Sequence, residues 1–257
     1  MITKIIAIGG GENGRFLSDG TRTAYETEII DKEIVQLTNK RNPNFLFLGH
    51  ALNFSEEFEE SYYNVMKNIY ENKFNCNCKI LKAKDLNDIN KVKELIDWSD
   101  IIYEGGGETT SMINLWYNKG FDRVLFEAWQ DGKVISGISA GAVCWFHSCN
   151  SDFINKDSDQ TGFKEVNCLN WINLFITPHC NEVGRKESTK IQLKKNNLIG
   201  ILLSNCCAIE IIDNKFRIIK SSNNAYALKG YWKDDEYFLE KIDNFDTYSN
   251  LSELLKK

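Results

Sequence analysis

Proline is almost missing from this chain, with two residues in 257, and histidine and methionine are nearly as rare at three each. No Pro/Gly/Ser-rich stretch or internal repeat divides the sequence. Length and composition therefore predict a single domain over residues 1–257. Long apolar runs are missing as well. Ile5 to Ile8 and Ile199 to Leu203 fall far short of the roughly 20 residues that cross a bilayer, so no membrane association is expected. A basic excess is absent too: 31 Lys and Arg against 36 Asp and Glu leave a net charge of −5, with the two signs interspersed. That balance argues against a nucleic-acid partner. The N-terminus enters a strand-like run at once, without a small-residue cleavage site, so a cytoplasmic protein is expected rather than a secreted one.

Missing motifs narrow the chemistry. The eight cysteines contain no C-x-x-C pair, which excludes a zinc ribbon and a thioredoxin motif, and reduced thiols are expected. Scattered histidines without H-E-x-x-H leave little to build a metal site from, and neither metal nor cofactor is expected. No G-x-x-x-x-G-K-[ST] occurs. Gly9, Gly11 and Gly14 formally spell G-x-G-x-x-G, but Arg15 to Thr23 reads as loop where a dinucleotide site would open a helix.

What is present reads as α/β. Hydrophobic residues make up 42% and charged residues 26%, as in ordinary globular proteins. Short apolar, β-branched runs at Ile2–Ile8, Asn44–Leu48, Lys79–Leu81, Ile101–Tyr103 and Lys133–Ser136 alternate with helical patterns at Tyr25–Leu37, Glu56–Tyr70, Val92–Ile96, Thr109–Trp116 and Phe121–Gln130. Such alternation implies a mostly parallel sheet covered on both faces. From about residue 199 to 231 the pattern turns to short strands separated by Asn-Lys and Ser-Asn-Asn turns. These read as an antiparallel edge of the same sheet.

Gly137-Ile138-Ser139-Ala140-Gly141 carries the most chemistry. A G-x-S-x-G between a strand and a helix, here expected at Ala142–Phe146, is the context of a nucleophile elbow, whose tight turn needs small neighbours. The serine needs a base. His179 follows a strand and Pro178, His50 ends the second strand and could contact substrate, and His147 is expected on the elbow helix, pointing away. Geometry favours His179, with His50 behind it. Gly105-Gly106-Gly107 ends another strand and can offer backbone N–H groups to an oxyanion.

Together, Tyr103-Glu104-Gly105-Gly106-Gly107-Glu108-Thr109, the elbow, and Thr177-Pro178-His179 resemble the peptidase E family of serine peptidases, which includes aspartyl dipeptidases and cyanophycinases. The resemblance runs from about residue 2 to 230. It implies a three-layer sandwich like the class I glutamine amidotransferases, flavodoxin-like in its mostly parallel sheet. It also implies Ser139 as nucleophile, His179 as general base, and amides of Gly106, Gly107 and Ala140 as oxyanion donors. For the third member, Asp152 fits the dipeptidases, whereas Asn205 occupies the position where cyanophycinases carry glutamate; Glu182 and Glu187 are further candidates. Glu108 departs from the usual residue after the triplet and is a candidate for a substrate amino group, and Arg185 for a substrate carboxylate. The expected activity is a serine exopeptidase or dipeptidase acting on short peptides, as a monomer or homodimer. The competing expectation is a ligand-binding or regulatory protein that keeps the fold. A third reading, an amidotransferase-like enzyme using Cys144, is disfavoured because the elbow holds serine.

Overall fold

The computed structural model describes residues 1–257 apart from Phe16, Ser18, 156–159 and Asp246, so two residues of the expected 15–23 loop lie outside the described residues. Strand β1 (Lys4–Ile8) is followed by α1 (Glu28–Gln36), β2 (Asn44–Leu48), α2 (Glu56–Phe74), β3 (Asn77–Leu81) and a 3-10 turn at Ala83–Asn87. Then come α3 (Ile89–Trp98), β4 (Ile101–Glu104), α4 (Thr109–Lys119), α5 (Phe121–Gln130), β5 (Val134–Ile138) and a single turn, α6 (Ala140–Val143). Strands β6 (Phe146–Asn155), β7 (Gln160–Asn167) and β8 (Ile172–Thr177) lead to α7 (Arg185–Asn196) and β9 (Gly200–Leu203). The chain ends with β10 (Cys207–Ile212), β11 (Lys215–Lys220), β12 (Ala227–Lys233), β13 (Glu236–Ile242), β14 (Ser249–Asn250) and α8 (Leu251–Leu254).

The fold is α/β with two mixed sheets. Eight strands form the first, in the order β14-β11-β10-β1-β5-β4-β2-β3, and six form the second, in the order β13-β12-β9-β8-β6-β7. Strands β1, β5, β4, β2 and β3 run parallel, while β10, β11 and β14 add antiparallel neighbours. The expected antiparallel edge is therefore split between sheets. Strands β10 and β11 extend the first sheet, but β9 pairs parallel with β8 and antiparallel with β12 in the second. The chain changes sheet at Ser204-Asn205-Cys206, where Cys206 takes φ +61°. The helix expected at Ala142–Phe146 is likewise replaced by the one turn of α6, and His147 stands on β6, with Nδ1 3.3 Å from Ser148 Oγ.

Continuous apolar strands arise because both faces of the parallel region are covered. Along β1, Ile6 and Ile8 join the core beneath α1 and α2, while Ile5 and Ala7 face the opposite core. On β2 the same alternation sends Phe45 and Phe47 one way and Leu46 and Leu48 the other. That is the period-two consequence of the pleat. Phe45 stacks on Tyr70 with ring centroids 3.8 Å apart, and Phe47 meets Tyr62 edge-on at 5.1 Å. The second core joins the sheets: Trp116 stacks on Trp145 at 5.7 Å, and Trp129 on Trp171 at 5.1 Å.

His50, a candidate for substrate contact in the sequence, is part of that core and has no exposure. Its Nδ1 lies 2.9 Å from Trp116 Nε1, which can only donate, so Nδ1 must be unprotonated. Nε2 then donates to the Leu81 carbonyl at 2.9 Å. Glu104 Oε2 lies 4.0 Å from His50 Nδ1, yet this is no ion pair. Burial holds the imidazole neutral, with a pKa lowered from 6.5 to about 4, and pushes the Glu104 carboxyl well above the carboxylate range.

A pH dependence of stability follows. The folded-state pKa of His50 lies below its unfolded value, so its stabilisation is complete above pH 6.5 and is lost as pH falls toward about 4. The full loss is roughly 3 kcal/mol. In urea denaturation across that window, His50→Gln should be less stable than wild type at pH 7 but lose stability less steeply on acidification. Parallel curves for the two proteins would contradict the neutral buried imidazole.

Candidate active site

The ends of parallel strands meet where the two sheets adjoin. Strands β1, β4 and β5 of the first sheet and β8 and β9 of the second all finish there, as ligand sites in open α/β folds do. Ser139 follows β5 with φ +56° and ψ −115°, a backbone conformation that only a held turn imposes on serine. The hold is visible: Ser139 N–H donates to the Ile8 carbonyl at 3.0 Å, and Gly141 N–H to Gly105 at 3.1 Å. A Cβ at Gly141 would stand 2.1 Å from the Glu104 carbonyl oxygen, so the elbow closes only with glycine there.

His179 follows β8 and Pro178, with φ +49°, and its N–H donates to the Gly9 carbonyl at 2.9 Å. Its Nε2 is 3.0 Å from Ser139 Oγ, and its Nδ1 is 2.7 Å from Asn205 Oδ1. An amide oxygen only accepts, so Nδ1 carries the proton and Nε2 presents a lone pair to the serine hydroxyl. Asn205 is fixed in turn, its N–H donating to Asn181 Oδ1 at 2.8 Å.

The N-terminal glycines complete this arrangement. Gly10 has φ +153°, and a Cβ there would lie 2.3 Å from both Asn205 Oδ1 and His179 Nδ1. Its carbonyl accepts from Cys206 N–H at 2.8 Å. Gly10 thus makes room for the histidine and the asparagine. Across the elbow, Gly106 lies against Ser139, and its amide faces the Tyr62 hydroxyl. Ala140 opens α6, where the first N–H has no partner within the helix. A Cβ at Gly107 would stand 2.1 Å from the Ala51 carbonyl oxygen, so the turn closes on glycine there. Above these groups opens a cleft of about 1040 Å³, walled by Glu12 and Arg15 after β1 and by Phe58, Tyr62 and Val65 of α2.

With this geometry in view, the known relatives are informative. The model of peptidase family S51 matches residues 15–219. The chain belongs to peptidase family S51. It is 27% identical over 232 residues to YgaJ of Bacillus subtilis (strain 168), described as an uncharacterized peptidase, covering 88% of this chain and 91% of YgaJ. Among solved structures it resembles a peptidase from an acI-B1 Actinobacterium at a TM-score of 0.69 and 18% identity, covering 97% of each chain. A putative peptidase E protein from Listeria monocytogenes EGD-e superposes at a TM-score of 0.60 and 16% identity, covering 86% of this chain and all of that one. At such identities the two structures speak for the fold.

Other residues singled out in this S51 sequence are occupied elsewhere. Asp152 does not reach His179: it sits on β6, and its carboxylate meets Arg185 Nη2 at 2.9 Å. Arg185 is buried and does not line the cleft, because Asp152 and Glu182 both engage it. Glu108 caps α4, accepting from the N–H of Thr110 at 3.0 Å and of Ser111 at 2.6 Å. Burial raises its pKa, but these donors outweigh it and leave the carboxylate below its ordinary value. The negative charge therefore serves the helix start rather than a substrate amine. Glu187 is exposed in the first turn of α7. Among the described residues no group of three or more His, Cys, Asp and Glu side chains is placed to hold a metal, and no helix is long and apolar enough to cross a membrane.

The contribution of Gly10 was hidden in the sequence, since a glycine triplet after a first strand has many uses. Gly10→Ala should displace the His179–Asn205 pair by an ångström or more, and such a misplacement costs on the order of a hundredfold in rate. The second-order rate of fluorophosphonate labelling in a folded Gly10→Ala sample measures it. A wild-type rate would show that the clamp has no bearing on the serine.

Proposed function

We propose that this family S51 chain is a serine peptidase that hydrolyses short peptides through an acyl-enzyme at Ser139. The observation that carries the reading is the continuous hydrogen-bond line Ser139 Oγ–His179–Asn205, at 3.0 and 2.7 Å, whose serine and histidine line an open cleft. His179 Nε2 takes the hydroxyl proton as Oγ attacks the carbonyl carbon. The tetrahedral oxyanion is received by backbone N–H groups of Ala140 and of the Gly106–Gly107 turn. The imidazolium then returns the proton to the leaving amine, and water resolves the ester by the same steps in reverse. Asn205 keeps His179 in the tautomer that leaves Nε2 free, as an acceptor without charge. Action on dipeptides, including Asp-X substrates, is consistent with the family resemblance.

A fluorophosphonate probe tests the mechanism. Labelling should map to Ser139 alone, vanish in Ser139→Ala, and slow by on the order of a thousandfold or more in His179→Ala. Peptide turnover should disappear with it. No adduct on a folded wild-type sample would defeat the peptidase reading and leave a binding protein that retains the fold.

A further inference from the structure

Asn205 orients His179 but brings no charge, so it cannot offset the positive imidazolium that forms when the serine proton is taken up. A carboxylate stands nearby all the same. Glu182 follows His179 by three residues, its N–H donating to the His179 carbonyl at 2.9 Å, and its Oε1 lies 4.0 Å from His179 Nδ1. The other oxygen, Oε2, accepts from Arg185 Nη2 at 2.7 Å. That same Nη2 meets Asp152 at 2.9 Å.

Charge arithmetic gives this cluster a purpose. Glu182 alone with Arg185 would be a neutral pair and would offer the imidazole little. Asp152 supplies a second carboxylate, so the three side chains sum to −1, with Glu182 at the end nearest the histidine. Arg185 is held in place: its guanidinium lies 4.4 Å from the Phe163 ring centre, and Nη1 is 3.4 Å from the Asn150 carbonyl. The arginine side chain is 2% exposed, whereas Asp152 and Glu182 are 69% and 47% exposed. The sequence offered Asp152, Glu182 and Arg185 as separate candidates, and the fold joins them in one line ending at His179.

We propose that Asp152, Arg185 and Glu182 act as one electrostatic positioning group that supplies His179 with the negative charge Asn205 lacks. The kinetic meaning rests on His179 being the general base, but the charge effect can be read without turnover. Among the described residues, the further titratable or charged groups on elements around His179 include Glu12, Arg15, Arg22 and Glu26 after β1, Tyr62 on α2, Glu108 before α4, Cys180 beside the histidine, Lys186 on α7, Cys206 beside Asn205, and Tyr226 before β12. All of them stay constant in the test.

That test is an NMR titration of the imidazoles. With three histidines in the chain, His147→Gln assigns the His179 signal, since buried His50 stays neutral down to about pH 4. Removing one partly screened charge near 4 Å should lower the His179 midpoint by about half a pH unit in Glu182→Gln. Asp152→Asn should lower it by less, and Arg185→Gln should raise it. Opposite signs from adjacent residues cannot come from loosened structure. Should Arg185→Gln fail to fold, the exposed pair Asp152→Asn and Glu182→Gln still decides. The acid limb of the labelling rate against pH should move in the same directions. Unmoved midpoints in Glu182→Gln and Asp152→Asn, or equal shifts of one sign in all three variants, would overturn the relay. Midpoints that move as expected without serine labelling would keep the relay and defeat the peptidase reading.

Discussion

Everything at the candidate site depends on the close approach of three strand ends drawn from two sheets. Ser139 leaves β5 in the first sheet, His179 leaves β8 in the second, and Asn205 sits where the chain passes from β9 to β10 between them. Hydrogen bonds of 3.0 and 2.7 Å tolerate little error, and the contact closes only because Gly10 brings bare backbone against both ring and amide. Positive φ at Ser139, His179 and Cys206 is the local cost of that convergence. Strain of this kind persists only where the surroundings over-determine it, here through the bonds of Ile8, Gly9 and Gly10.

Burial decides how the charged and titratable groups are used. His50 and Glu104 are fully enclosed and stay neutral, tying the β2 and β4 ends together beneath the glycine turn by way of Trp116, Leu81 and Ala51. Glu108 keeps its charge because a helix start supplies donors. The buried cation of Arg185 is matched by two carboxylates. Charge on the cleft wall is carried by the exposed Glu12–Arg15 pair, at 3.0 Å, and by Arg22, across from Phe58, Tyr62 and Val65 of α2.

Local signals were legible where one stretch of chain holds the whole reason. Short continuous apolar runs announced β1, β2 and β4, and the crowded glycines around Ser139 announced a turn after β5. The elbow helix was overestimated, since Ala140-Gly141-Ala142-Val143 has room for only one turn before Phe146 enters β6. Helical and strand spacing cannot be told apart over so few residues. The C-terminal strands were recognised individually, but their division between sheets depends on partners far away in sequence.

By itself, the sequence determined the α/β class and singled out Ser139 on its tight turn and His179 among the three histidines as candidates, because each rests on neighbouring residues or on scarcity. Tertiary structure alone decided that Asn205 rather than Asp152 meets His179, that Asp152 is turned toward Arg185, and that Gly10 belongs to the site. The physical reason is common to all three. Which side chain fills the space beside an imidazole depends on where β6, β9 and the loop after β1 come to rest, and that is settled by long-range strand pairing and sheet packing rather than by any pattern within the segments themselves.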